Sequence, residues 1–305
     1  MARIAIIMPT YNEERRLLSQ AIDSILQQTV ADFELVVIID NPDHKSNDYL
    51  ETIALEDERI TLVHNDENIG LAASLNKALD LVDSEYIARM DADDISCPNR
   101  LEIQLRYLEG MNASLVGSQL SVIDETGAAL YDTPQIPLAP EKVSRALRFN
   151  NCVPHPSWFG KAELFKLGYR QIPLCEDYDL LLRAALLGMR IGNVGQKLVQ
   201  YRMTSNSVSR TNLYTQFRYQ KYLSKCYAHG QIADIDKAAQ YANSKNDAKR
   251  REKYCEANAR LNQTLELLRE KHYGKAAMGV IPLITKSASY NEKMLRFALA
   301  SRVGQ

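Results

Sequence analysis

A chain of 305 residues, 46% hydrophobic and 25% charged, is long enough for one large domain plus a smaller piece and too long for a single small core. Its five scattered cysteines form no CxxC pair, which argues against a zinc ribbon or a disulfide framework and for a reducing, cytoplasmic setting. No apolar run reaches the roughly 18 residues of a membrane span, and the net charge of −1 hides an acidic front and a basic tail, residues 211–305 carrying 17 Lys/Arg against 8 Asp/Glu.

The short apolar run Ile4–Met8 reads as a buried strand rather than a signal peptide, because polar Tyr-Asn-Glu follows at once. Asn12 is placed to cap a helix whose Leu18, Ala21, Ile22, Ile25 and Leu26 share one face. Phe33–Ile39 is a continuous apolar run suited to a strand covered on both sides. A helix at Asp48–Leu55, a strand at Ile60–His64, a helix at Leu71–Leu81 and a strand at Tyr86–Met90 continue the alternation. Pro98 suits the first position of a helix that carries Leu101, Leu105 and Leu108 inward and stops at Gly110. This βαβαβαβ series predicts an α/β fold with a doubly wound, mostly parallel sheet.

From Leu115 to Leu130 the pattern changes to strand, turn and strand, with the turn at Asp124–Gly127. Helical spacing returns at Pro140–Phe149 and Asp177–Leu187, and after Ser209 the chain reads as nearly all helix. There Tyr254, Ala257, Leu261, Leu265 and Leu268 recur at spacings of three and four. The expected organisation is a catalytic domain over residues 1–210 and a basic helical C-terminal region over 211–305.

The stretch with the most chemistry is Arg89-Met90-Asp91-Ala92-Asp93-Asp94. Its carboxylates follow directly on an apolar strand, at the edge where open α/β sheets bind ligands. Crowded there they repel one another, which points to a divalent cation and so to a phosphate-bearing substrate. The DxD pattern also occurs on solvated faces and in calcium loops, but the EF-hand spacing fails, with no glycine at loop position six. Pro9-Thr10-Tyr11-Asn12-Glu13 closes the first strand and could cradle a nucleotide base or simply start a helix. Asp40 could accept from a base N–H or cap the next turn, and Asn68-Ile69-Gly70 offers either close backbone approach or a plain turn. The acids of Cys175-Glu176-Asp177-Tyr178-Asp179 suit a helix start, or a general base beside a substrate hydroxyl. No GxxxxGK[ST], GxGxxG or HExxH is present, so ATPase, nicotinamide and zinc-protease chemistry lack their signatures.

In this order and spacing the motifs resemble family 2 glycosyltransferases of the glycosyltransferase A fold, most closely the bacterial enzymes of capsule, O-antigen and exopolysaccharide synthesis. The match runs from residue 3 to about 209. It includes Pro9–Glu13, Phe33–Asp40, Asn68–Leu71, Arg89–Asp94 with Pro98, Arg100 and Leu101, His155-Pro156-Ser157, Glu176–Asp179 and Tyr201-Arg202. The resemblance implies an inverting transfer of a sugar from a nucleoside-diphosphate sugar, a UDP-sugar first of all, to a hydroxyl of a saccharide or lipid-linked saccharide. It implies Mn²⁺ or Mg²⁺ held chiefly by Asp93, with Asp91 between metal and ribose. Pro9, Thr10, Tyr11, Glu13, Asp40, Asn68 and Gly70 would serve the donor, with Tyr11 near the base. Asp177 would be the catalytic base, and His155, Trp158 and Glu176 would face the acceptor, although Trp158 equally suits the core.

Two departures from the family pattern stand out. Asp40 is followed by Asn41-Pro42 rather than a second acid, and Thr204 stands where a histidine often follows Tyr-Arg by two residues. Competing assignments are a sugar nucleotidyltransferase, which would need a basic glycine-rich loop after the first strand, and a non-catalytic nucleotide-sugar-binding scaffold. The tail cluster Lys249-Arg250-Arg251 with Lys253 reads either as a peripheral contact to anionic lipid or as a solvated face of a helical cap. The acidic front and the lack of aromatic-basic interleaving argue against nucleic acid.

Overall fold

Four strands open the chain, Ile4–Thr10 (β1), Phe33–Ile39 (β2), Ile60–His64 (β3) and Tyr86–Arg89 (β4). Helices Arg15–Leu26 (α1), Asn47–Glu56 (α2) and Leu71–Leu79 (α3) link them. The computed structural model describes residues 2–204, 212–244, 247–269, 272 and 286–304. β1 runs parallel to both β2 and β4, and β2 runs parallel to β3. All four strands therefore end on one edge of the sheet, and Thr10, Asp40, His64 and Met90 lie at or just past those ends.

The next elements are Ile95–Ser96 (β5), Arg100–Gly110 (α4), the hairpin Leu115–Ile123 (β6) and Ala129–Asp132 (β7), and Pro140–Ala146 (α5). A 3₁₀ turn at His155–Ser157, Phe159–Lys161 (β8), Ala162–Phe165 (α6), Glu176–Leu186 (α7) and Ile191–Arg202 (β9) complete this part. The sheet order is β3-β2-β1-β4-β8-β6-β9-β5, with β7 beside β6. Parallel pairing returns between β6 and β9, while β8 runs antiparallel to its neighbours β4 and β6.

Strand alternation divides the core between the two faces of the sheet. Ile4, Ile6, Met8, Ala88 and Met90 pack with Leu18 and Ile22 of α1 and Leu101 and Leu108 of α4. Ile7, Val36, Ile38 and Ile87 pack with Leu75 of α3 and with Tyr178, Leu181 and Leu182 of α7. Two local expectations are corrected. Asn12 does not cap α1, whose N-cap is Glu14 without a side-chain bond; the Asn12 Oδ1 instead accepts from Asn41 Nδ2 at 2.7 Å. Pro98 lies outside α4, capped by Asn99, and its carbonyl accepts from Thr29 N at 2.8 Å.

The boundary expected near residue 210 lies outside the described residues. Beyond it come Leu213–Ala228 (α8), Ile235–Ser244 (α9), Ala248–Arg269 (α10) and Ala288–Gly304 (α11). Tyr219 and Leu223 of α8 and Ala238 and Ala242 of α9 join the same buried cluster as α7. A separate aromatic cluster of Tyr214, Phe217, Tyr254 and Tyr290 ties α8, α10 and α11 together. Of the expected α10 stripe, Tyr254 and Ala257 are buried, Leu265 is exposed, and the side chain of Leu268 lies outside the described residues. The cluster Lys249, Arg250, Arg251 and Lys253 is exposed. Among the described residues no helix is long and apolar enough to cross a membrane.

Candidate active site

The carboxyl edge of β1, β2 and β4 opens into a cleft of about 1300 Å³. Its walls hold Pro9, Thr10, Tyr11, Glu13, Asp40, Asn68, Gly70, Asp91, Asp93, His155, Glu176 and Asp177, every sequence-derived site residue except Trp158. Trp158 is the correction: it is fully buried, so it cannot present its face to an acceptor. Its indole Nε1 donates to Val153 O at 3.0 Å, and its ring packs edge-on against His155 at 4.5 Å. An aromatic of this size gains more from the core than from a cleft wall when its one N–H finds a carbonyl there.

The turn after β1 is tied by Glu13. Its Oε2 accepts from Thr10 Oγ1 and from Tyr11 N, both at 2.7 Å, which leaves the Tyr11 ring exposed at the cleft mouth. Asp40 is buried and mostly committed. Its Oδ1 accepts from Asn65 Nδ2 at 2.8 Å and Ile69 N at 2.9 Å, and its Oδ2 accepts from Gly70 N at 3.0 Å. Both turn and donor roles remain compatible, since a carboxylate has about four acceptor positions and three are used. Gly70 has φ +81°, a conformation that suits glycine, and Asp40 fixes it at the start of α3.

The loop after β4 gathers the carboxylates of Asp91, Asp93 and Asp94, whose nearest oxygens lie within 4.8 Å of one another. Asp91 is ion-paired with Arg89. Burial, with the charges of Asp91 and Glu13, pushes the Asp93 carboxyl up to about 7. Asp94 is fully buried; its Oδ1 accepts from Arg202 N at 2.8 Å, but among the described residues its Oδ2 has no hydrogen-bond partner. Burial and its two acidic neighbours hold that carboxyl well above its ordinary range. A crowded, under-satisfied oxygen set fits a hard divalent cation, which would relieve both the repulsion and the orphaned acceptor. Backbone around it is pinned by arginines: Arg100 Nη2 donates to Arg89 O at 2.7 Å and Arg202 Nε to Asp93 O at 2.7 Å.

The opposite wall is the N-terminus of α7. Asp177 is half-buried; its Oδ2 accepts from Asn151 Nδ2 at 2.8 Å and its Oδ1 from Tyr178 N at 2.6 Å. Burial raises its carboxyl to about 6, against the pull of Tyr178 N, Arg89 and Asn151. Glu176 beside it is pushed up to about 7 by burial and by the Asp177 charge. A base with such a value is ionised at neutral pH yet basic enough to take a proton from a hydroxyl. His155 lies 2.9 Å from Tyr169 Oη through Nε2, and burial together with Arg89 holds it well below its usual range, hence neutral. Leu174, just before these acids, has φ +65°, an uncommon conformation for a bulky residue that recurs at functional sites. Thr204 lines the cleft as well.

Sequence reasoning did not find Asn151, Tyr169 or the roles of Arg100 and Arg202. Asn151 and Tyr169 sit in irregular connections with no motif of their own, and only their distance in space to Asp177 and His155 marks them.

The sequence matches the family described as Glycosyl transferase family 2 over residues 5–166. An uncharacterized glycosyltransferase, MJ1057 of Methanocaldococcus jannaschii, is 30% identical over 228 residues, 73% of this chain and 79% of that one. The O-antigen biosynthesis glycosyltransferase WbnJ of Escherichia coli is 32% identical over 215 residues, 69% and 83% of the two chains. Two solved structures share the fold across 99% of this chain. S. aureus TarS 1-349 in complex with UDP-GlcNAc has a TM-score of 0.58 at 16% identity and 89% coverage. The mannosyltransferase PcManGT of Pyrobaculum calidifontis, in complex with GDP-Man and Mn²⁺, has a TM-score of 0.61 at 18% identity and 87% coverage.

Proposed function

The chain belongs to the family 2 glycosyltransferases, and we propose that it is an inverting, metal-dependent member. It would move a sugar from a nucleoside-diphosphate sugar, a UDP-sugar first of all, to a hydroxyl of a saccharide or lipid-linked saccharide. The setting would be cell-surface polysaccharide synthesis. The observation that carries this is the meeting in one cleft of two unlike acid groups: Asp91 and Asp93, crowded by the buried Asp94 behind them, and the adjacent acids Glu176 and Asp177. The naming of WbnJ for O-antigen synthesis supports the polysaccharide setting, and the UDP-GlcNAc and GDP-Man complexes of structures with this fold support the donor class.

Asp93 and Asp91 would hold Mn²⁺ or Mg²⁺, with the orphaned Asp94 Oδ2 behind them. When bound, the cation neutralises the negative charge that grows on a departing diphosphate. The chain supplies the rest. The exposed Tyr11 ring offers a face to the donor's base, and the turn at Asn68–Gly70, fixed by Asp40, floors that end of the cleft. Asp177 accepts the acceptor hydroxyl's proton as its oxygen bonds to the anomeric carbon and the bond to the diphosphate breaks. One displacement from the opposite face inverts the centre, and no enzyme nucleophile takes part. Neutral His155, held by Tyr169, can accept or donate one hydrogen bond to the sugar without adding charge.

A thermal-shift panel of UDP- and GDP-sugars with and without Mn²⁺ tests the reading, because a ligand that prefers the folded state raises the melting point. At least one nucleotide sugar should stabilise the protein only when Mn²⁺ is present. No shift from any of them, with and without metal, counts against it.

A further inference from the structure

A second cavity, of about 420 Å³, lies beside the cleft where the end of β9 meets the start of α8 and the middle of α10. Tyr201 lines both spaces, so they adjoin along one side chain. The helix α8 spans the same junction: Leu213 lines the cavity, and Gln216, less than one turn further on, lines the cleft. Gln216 is seated beside the acids of α7. Its Nε2 donates to Leu174 O at 3.1 Å and its main-chain carbonyl accepts from Cys175 Sγ at 3.6 Å, directly ahead of Glu176 and Asp177. None of Tyr11, Asp40, Asn68 and Gly70, at the other end of the cleft, lines the cavity. It therefore continues the site on the side of the base rather than on the side of the nucleotide.

The lining mixes apolar surface with amides. Tyr201, Met203 and Leu213 supply the first, and Asn258 and Asn262, four residues apart on one face of α10, supply the second. Asn258 Oδ1 accepts from Tyr290 Oη at 3.3 Å, which fixes that amide and leaves its N–H donors for a ligand. Among the described residues no charged side chain lines the cavity, although α10 is rich in charge elsewhere, from Lys249 to Arg260. A phosphate would meet no cation there and a metal ion no anion. A neutral ring with hydroxyls fits, since its C–H faces pack on the apolar wall and its hydroxyls bond to amides, and the volume lies in the range of small-ligand sites, about 300–1,000 Å³. We propose that this cavity is an acceptor subsite, holding the second sugar of a saccharide whose terminal sugar presents its hydroxyl to Asp177. The inference rests on the transferase reading and deepens it: the acceptor is at least a disaccharide, and α10 takes part in choosing it.

The test reads saccharide binding to the full chain by saturation-transfer NMR, with UDP and Mn²⁺ present. The probes are galactose with lactose, glucose with cellobiose, and N-acetylglucosamine with N,N′-diacetylchitobiose, each single sugar matching the non-reducing end of its disaccharide. In the wild type at least one disaccharide should bind about fivefold or more tighter than its single sugar, the net effect of about one hydrogen bond. Asn262→Leu removes an amide and Ala259→Trp fills the space; both positions are exposed, so the fold should survive either change. In each variant the disaccharide should bind no tighter than its single sugar. A wild type that favours no disaccharide overturns the inference, and so does a preference that persists in Ala259→Trp. If that variant does not fold, Asn262→Leu carries the test alone: an undiminished preference overturns the inference, and a reduced one supports it. Nucleotide release by the wild type from UDP-glucose, UDP-galactose, UDP-N-acetylglucosamine and GDP-mannose, with Mn²⁺ and water as acceptor, is followed alongside. Release from none of the four overturns the transferase reading and this inference with it, whereas release without any disaccharide preference overturns this inference alone.

Discussion

Asp177→Asn should separate activity from stability, and in opposite directions. The carboxyl is raised from 3.8 to about 6 by burial beside Glu176, so folding favours its neutral form. The wild type enjoys that stabilisation fully below about pH 4 and has lost it once the pH has risen through 6. About two pKa units correspond to roughly 3 kcal/mol at pH 8, and sharing of the proton with Glu176 reduces this to about 2 kcal/mol. An amide of the same shape carries no charge to bury, and its single oxygen keeps one of the two bonds that the carboxylate accepts from Asn151 Nδ2 and Tyr178 N. Asp177→Asn should therefore melt roughly 4 °C above the wild type at pH 8, with the gain shrinking as the pH falls from 6 to 4. Nucleotide binding should persist, and transfer should drop by about 10²- to 10⁴-fold, the usual share of a general base. For the wild type, kcat/KM should fall about tenfold per pH unit below 6. Scanning calorimetry from pH 4 to 8 and transfer rates check both halves. Near-normal turnover refutes the base assignment, and a melting difference that does not depend on pH refutes the burial argument.

Asp93→Ala should weaken UDP binding in the presence of Mn²⁺ by about tenfold or more and leave metal-free binding unchanged, as read by calorimetry, because the removed oxygen contacts the cation rather than the nucleotide. Trp158→Ala should cost about 3–5 kcal/mol in denaturant unfolding, the usual penalty for a fully buried aromatic. In the folded protein its affinity for UDP with Mn²⁺ should stay within threefold, since the ring lies behind His155 and not in the cleft; a stability loss under 1 kcal/mol would contradict the core placement.

The first half of the molecule was legible because each strand is a single unbroken apolar run between amphipathic helices. Phe33–Ile39 and Ile60–His64 end where the sequence pattern ends them. β8 and β9 were not. β8 is three residues long, and β9 carries Gly192, Gly195 and Lys197 in its span, so neither shows the period of a strand. β9 earns its place through pairing with β6, and the register slips at Ser118 and Gln119 of β6 where the two meet. The same contrast holds in the site. Asp91, Asp93 and Asp177 announce themselves as acids at element ends. Trp158 does not announce its burial, because an aromatic two residues after a proline reads alike for cleft and core until Val153 O is seen to take its N–H.

Why the acid crowding at β4 survives can be argued from where the nearby arginines spend their donors. Arg100 is fully buried, and burial together with Arg89 lowers its guanidinium to about 10. It gives its Nη2 to the carbonyls of Arg89 and Trp158 and its Nε to Gln104, and to no carboxylate. Arg202 likewise donates to the carbonyls of Asp93, Asp124 and Glu125 and to Gln20. Both could have neutralised the cluster directly through forked pairing, the stronger interaction. They lock the backbone of the loop instead, which leaves Asp94 Oδ2 without a hydrogen-bond partner among the described residues. Three carboxylates held in place with one ion-paired arginine, Arg89 on Asp91, among them are poised for an incoming ion. Replacing Arg202 by a residue unable to reach Asp93 O should therefore loosen the acids without changing their number, and weaken metal-dependent nucleotide binding far more than it weakens the fold.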